Sequence, residues 1–194
     1  MFYKENLHKT GDTFSGGFKL RYLEQSPSLK GEFWMILKDR SGQIVGKRHG
    51  NNIIVNSASV LIARLLKDNS EPSGGITYLA VGTGGVGWNL QNPPQPTTTQ
   101  TTLENEIARK AFTTEDVTFV DPETGDPTIV PTNVLDFTAT FAETEGVGPL
   151  VEMGLFGGDA TDLLDSGTEV NYRTFPVLNK TNSMTLTIIF RITA

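Results

Sequence analysis

Met184-Thr-Leu-Thr-Ile-Ile-Phe-Arg-Ile192 is the stretch that decides the fold class. Met184, Leu186, Ile188, Phe190 and Ile192 take every second position, opposite Thr185, Thr187 and Arg191. A period of two sets one row on each face of a strand, and threonine suits a pleated, half-exposed surface. Val134 to Ala142 repeats the pattern, with Leu135, Phe137, Ala139 and Phe141 on one face. Leu150 to Phe156, Tyr172 to Leu178, and Phe112 to Val120 read as further strands, and Asp121-Pro-Glu-Thr-Gly-Asp-Pro127 as a turn-rich connection.

The first half carries the same signals. Phe14 to Leu23 alternates from Phe18 onward, placing Phe18, Leu20 and Tyr22 together. Gly31-Glu-Phe-Trp-Met-Ile-Leu-Lys38 reads as a deeply buried strand, and Trp34 is expected in the core. Asp39-Arg-Ser-Gly42 has the Asp-first, Gly-fourth composition of a type I turn, so Gln43 to His49 should return antiparallel. One helix is expected over 57–67, where Val60, Leu61, Ile62, Leu65 and Leu66 recur at helical spacing behind an Asn56-Ser57 cap. Ile76 to Val81 is a short strand, and Leu103 to Lys110 could form two helical turns. Eight or nine short strands with turn signals between them predict a mainly-β protein. The expected form is an antiparallel, jelly-roll-like β-sandwich with one packed helix. Residues 14–194 are expected to form one domain behind an extended arm at 1–13, with a long loop at 83–102 that must lie on a neighbour or stay free.

Composition removes several chemistries. The 194 residues include no cysteine, hence no disulfide scaffold, thiolate zinc site or cysteine nucleophile. Two histidines, His8 and His49, supply little for a metal centre. No run nears the ~18 apolar residues of a membrane span, and the N-terminus lacks the apolar core of a signal peptide. Synthesis and folding in a reducing cytoplasm are expected. Residues 1–50 hold nine Lys/Arg against five Asp/Glu and residues 51–194 seven against seventeen: +4 and −10, which sum to the net −6. Such a basic quarter on an acidic body suits docking to something acidic, such as a neighbouring copy, or two differently charged faces of one domain.

Candidate sites are few. Gly82-Thr-Gly84-Gly-Val-Gly87 matches G-x-G-x-x-G, but Trp88-Asn-Leu-Gln-Asn-Pro-Pro94 follows and cannot open the phosphate-facing helix that the motif requires. A glycine-permitted strand exit is the better reading. Asp159, Asp162 and Asp165 lack the calcium-loop spacing and read as a solvated loop. Glu143 and Glu145 lie at a strand end. Glu152 shares a face with Gly154, and a buried carboxylate there would need a cation such as Arg109 or Arg173. No Gly-x-Ser-x-Gly elbow is present, and Lys47-Arg48-His49 is too short to track a nucleic-acid groove. Catalytic residues, cofactor and metal ligands are therefore all expected to be none.

Several segments, taken in order, resemble a family of small virion structural proteins of tailed bacteriophages. They are Lys4-Glu-Asn-Leu7 with Gly11, Leu37 to Val45, Asn51-Asn-Ile-Ile-Val-Asn56, Ile76-Thr-Tyr-Leu-Ala-Val-Gly-Thr-Gly84 and Thr102-Leu-Glu-Asn-Glu-Ile-Ala-Arg109. Thr138 to Ala142, Leu150-Val-Glu-Met-Gly-Leu-Phe156, Tyr172 to Lys180 and Leu186 to Ile192 complete the set. Three of these elements are more remotely similar to the N-terminal domain of tail-collar fibre proteins. Residues 12–32 and 86–100 depart from that family's compact form and are candidate contacts to other virion proteins.

The resemblance implies a non-enzymatic virion component, assembled in the host bacterial cytoplasm. The expected place is tail, neck or baseplate, where it would anchor or form part of a fibre, with capsid decoration as the alternative. A carbohydrate-binding module or hydrolase is the competing class, since Trp34 and Trp88 could stack on a saccharide. Expected partners are other virion proteins and further copies of this chain, as a trimer or higher symmetric assembly, with no nucleic acid and no membrane. The candidate interaction residues are Phe2, Tyr3, Lys4, His8 and Lys9 in the arm, and Trp88, Pro93 and Pro94 in the long loop.

Overall fold

The computed structural model describes residues 29–67 and 74–194. The arm at 1–13 and the strand expected at Phe14–Leu23 lie outside them. The strand–turn–strand reading of residues 31–49 holds: β1 (Lys30–Asp39) and β2 (Ile44–Ile54) pair antiparallel with Trp34 opposite His49. The Asp39 carboxylate accepts the N–H groups of Ser41 and Gln43, at 2.9 and 3.0 Å, and Gly42 supplies φ +83° to close the turn. The helix α1 (Asn56–Lys67) follows, and then β3 (Gly74–Gly82), β4 (Glu106–Ala111), β5 (Val117–Val120) and β6 (Pro127–Thr128). The chain ends with β7 (Val134–Phe141), β8 (Gly148–Gly158), β9 (Thr168–Lys180) and β10 (Met184–Thr193).

The mainly-β antiparallel architecture with one helix is as expected. The two separate sheets expected of a sandwich are not found, however. All ten strands form one sheet in the order β4-β3-β8-β9-β2-β1-β10-β7-β5-β6. Its halves join at β2 and β9 through two residue pairs, Ile53–Tyr172 and Ile54–Asn171. Phe33, Phe141 and Phe190 from one half share a buried cluster with Val81, Met153 and Phe175 from the other. Burying each such side chain contributes about 2 kcal/mol. The period-two rows read from the sequence supply this core: Leu186, Ile188 and Phe190 are fully buried.

Three expectations need correction. Leu103–Lys110 is not helical. Glu106–Ala111 is an edge strand on β3, and the N–H groups of Glu104 and Asn105 just before it bond a carboxylate of β8. Tertiary contacts override the helix propensity of Leu, Glu, Ala and Lys there. Residues 112–120 are not one strand: a 3₁₀ turn at Thr114–Asp116, whose Asp116 carboxylate accepts the Thr113 N–H at 2.7 Å, precedes β5. Trp34 is not core. In β1 the alternation sends Phe33, Met35 and Leu37 inward, so Trp34 and Ile36 face outward, half-buried.

The helix also buries less than its pattern suggests. Ala58 and Leu61 are its buried residues, and the Ser57 hydroxyl donates to the Glu169 carbonyl of β9 at 2.6 Å. Val60, Leu65 and Leu66 are left 60%, 47% and 80% exposed.

Candidate functional site

The face of the β3–β8–β9 half turned away from the main core carries a second cluster. Tyr78 and Ala80 of β3, Phe156 of β8 and Tyr172 of β9 pack there with Val55 and Leu103. Into it project Glu106, Glu152 and Glu169, all buried. Each carboxylate meets a different fate.

Glu152 does not pair with a cation. Its carboxylate accepts the backbone N–H groups of Gly84, Glu104 and Asn105 at 3.0, 3.0 and 2.9 Å, and the Tyr172 hydroxyl at 2.7 Å. Four donors offset the desolvation of one charge. Glycine at 82 and 84 lets the chain approach closely: a Cβ at Gly82 would strike the Glu152 carboxylate, and one at Gly84 would sit 2.6 Å from the Trp88 ring. Burial and the neighbouring carboxylate together raise the Tyr172 pKa, so the phenol stays a donor.

The cations expected beside Glu152 are committed elsewhere. Arg109 holds Glu106 through two bonds of 2.5 and 2.7 Å, donates to the Thr161 and Ser166 carbonyls, and lies over the Tyr78 and Phe156 rings. Arg173 sits opposite Met153 on the other face, over the Phe33 ring. Glu169 has no hydrogen-bond partner for either carboxylate oxygen. Desolvation, reinforced by the Glu152 and Glu106 charges, pushes its pKa up to about 9, so it is protonated at neutral pH.

This cluster is covered by the chain's own loops. The segment leaving β3 lies over it and is tied down at four further points. Val177 donates to Leu90 O at 2.7 Å, the Thr174 hydroxyl to Pro94 O at 2.7 Å, Asn56 to Thr98 O at 2.8 Å, and Thr83 to Asn105 O at 3.0 Å. The long loop therefore lies on its own fold, and the glycine motif is a strand exit. The loop with Asp159, Asp162 and Asp165 is braced in turn, for Asp165 donates its N–H to Glu106 at 3.0 Å. Glu143 pairs with Arg40 at 3.4 Å and Glu145 with Lys110 at 2.8 Å, both as surface ion pairs. Among the described residues no group of three or more His, Asp or Glu could hold a metal ion.

The proposed contact residues fall into four settings. Phe2, Tyr3, Lys4, His8 and Lys9 lie outside the described residues. Pro93 is buried, Pro94 is exposed and Trp88 is half-buried against Gly84 and Gly85. Sequence reasoning singled out Glu152 but not Glu106, Glu169 or Tyr172. The available signal was Gly154, whose missing side chain leaves room for the Glu169 carboxylate of the neighbouring strand. At the sheet's other half, Trp34 is stacked on His49 at 4.7 Å from one side strand, and the Arg191 guanidinium lies over its ring at 5.2 Å from the other. A shallow hollow of about 280 Å³ beside it is lined by Trp34, Ile36, Lys47, Arg48 and His49.

Residues 52–145, from the end of β2 to the turn after β7, match a family model whose description is baseplate wedge 3 tail fiber network component. The match takes in 94 of the 194 residues and is consistent with the likeness to tailed-phage structural proteins. It supports a structural role in a phage tail. No curated protein matches the chain. Among the described residues no helix is long and apolar enough to cross a membrane.

Proposed function

We propose that the chain is a non-catalytic building block of a phage baseplate, holding or forming part of the tail fibre network through repeated protein–protein contacts. The observation that carries this reading is the family match over residues 52–145, which spans the helix, the tied loop and the β5–β6 hairpin. The internal use of Glu106, Glu152 and Arg109 favours it over a hydrolase, since none of the three is free to meet a substrate. The same reading makes the protein part of the virion, present in several symmetric copies, with the segment 1–13 and the Trp88–Pro94 stretch as contacts to other virion proteins. Many identical weak contacts on one symmetric particle then act as one strong attachment.

Quantitative mass spectrometry of purified particles, dissociated into heads and tails, tests this. The protein should fractionate with tails, in a stoichiometry set by baseplate symmetry, and its loss should leave particles short of fibres. Recovery with heads alone would overturn the reading.

A further inference from the structure

We propose that copies of this chain associate through a knob and a hollow, the Leu163–Leu164 loop of one copy seating on Trp34 and Ile36 of the next. The inference rests on the structural role proposed above and names a second copy as the partner.

The hollow lies on the outward face of the β1–β2 hairpin. Trp34 has no free ring face, because His49 stacks on it from β2 and the Arg191 guanidinium covers it from β10. A sugar ring or a nucleic-acid base therefore finds nothing to stack on, and the hollow offers the Trp34 edge and Ile36 beneath a basic rim. Lys47 stands opposite Ile36 in register, with Lys38 two residues along the same row, and both are exposed. Neither has an ion-pair partner among the described residues. Arg48 donates to the carbonyls of Pro176 and Val177, neutral acceptors that leave its charge uncompensated. Of the carboxylates on this face, Glu32 stands 4.0 Å from His49, and Asp136 is bound by Arg191 at 2.7 Å.

The knob is the connection between β8 and β9. Leu163 is 70% exposed and Leu164 48%, between Asp162 and Asp165. From Gly157 to Thr168 the sequence holds three Asp and no Lys, Arg or His. Arg109 touches this loop, but it is buried and its charge is met by Glu106. The loop is shaped before it binds. The Ser166 hydroxyl donates to Leu163 O at 2.7 Å, Arg109 to Thr161 O at 2.7 Å, and the Asp165 N–H to Glu106 at 3.0 Å. These bonds hold Asp165 at φ 60°, a conformation uncommon for a residue with a side chain. A preformed element loses little entropy on docking.

The loop is anchored on the outer face of the β3–β8–β9 half and the hollow on the outer face of the other half. The halves share one core, so these faces look away from each other, and the loop of one chain meets the hollow of another. Charge selects that pairing. Loop on loop sets Asp162 against Asp162, and hollow on hollow sets Lys47 against Lys47. Loop on hollow brings Asp162 to the basic rim while the leucines cover Trp34 and Ile36, which favours that encounter and suppresses the symmetric ones. Such a contact uses different surfaces on the two partners, so it propagates into a ring or an open chain.

The chain has no cysteine, so single introduced thiols can report the contact. Full-length Leu163→Cys and Ile36→Cys chains, mixed and oxidised with glutathione disulfide, should cross-link at least about tenfold faster than Leu163→Cys with Val86→Cys, a fully exposed position in the long loop. Added salt should narrow that gap, and so should Lys47→Glu in the Ile36→Cys chain, with the circular dichroism of every variant unchanged. In sedimentation velocity over a concentration series, the wild-type chain should form oligomers that Leu163→Asp weakens at least about tenfold. Equal rates for the two mixtures would overturn the interface and leave the hollow to a different partner. A Leu163→Cys homodimer that forms faster than either mixture, a gap that ignores both salt and Lys47→Glu, or a monomeric wild-type chain would overturn it too. None of those outcomes bears on whether the protein fractionates with tails, so the two readings fail separately.

Discussion

Glu152 and Glu169 enter the same buried space from adjacent strands, and the difference between them lies in donors. Glu152 has four, Glu169 none. The unfolded chain would release the Glu169 proton near its ordinary 4.5, whereas the folded protein keeps it until about 9. Between those values the folded state binds more protons, so stability falls as pH rises from about 4.5 to about 9 and levels off above. Glu169→Gln keeps the shape and removes the proton, so it should flatten that slope and raise stability by roughly 3 kcal/mol at pH 7. Urea denaturation of both proteins across that range checks it, and parallel curves would refute the buried acid. The sequence flagged Glu152 through its strand context but assigned it a cation. Its actual donors come from backbone amides 47 to 68 residues away, which no local pattern records.

At the scale of elements, what was legible depended on one-sidedness. β7 and β10 each have one core face and one outer face, and their alternation could be read directly, whereas the continuous apolar run from Phe33 to Leu37 hid the same alternation in β1 and put Trp34 in the core. β8 is buried on both faces from Leu150 to Gly157, so alternation gives no orientation there beyond the placing of Glu152 beside Gly154. β4 is short, its residues favour helix, and only pairing with β3 makes it a strand. The long loop showed no reason to be ordered, because its anchors are single hydrogen bonds to β8, β9 and the helix start. Glu152 joins both ends of that loop to the sheet. Glu152→Ala would strand three amides and a phenol, each costing about 1–3 kcal/mol, and should destabilise the protein by at least about 3 kcal/mol. It should also release the loop locally. Under native conditions chymotrypsin should spare Trp88 and Leu90 in the wild type and cut there in the variant. Equal resistance in both would show that the loop does not depend on this carboxylate.

Across the whole molecule, the joint between the halves is narrow and the core behind it is shared. Two residue pairs connect β2 to β9, which alone would let the halves open independently. Against that stand Phe141, Leu186 and Phe190 in one half, packed in the same cluster as Leu79, Leu150 and Met153 in the other. Separating the halves would expose all of them, at about 25 cal/mol for each Å² of apolar surface, which outweighs any gain from opening a two-pair joint. The two tryptophans report on opposite sides: Trp34 sits on β1, and Trp88 lies in the loop tied to β8 and β9. Trp34→Phe and Trp88→Phe variants each leave one fluorescent reporter. If the shared core governs, both should give the same denaturant midpoint and slope, within the small stability difference between the variants, and both should match the loss of β-sheet circular dichroism. A Trp88 transition well ahead of the Trp34 transition would mean that the loop-covered half opens first, and that the cluster joining the halves does not make them one cooperative unit.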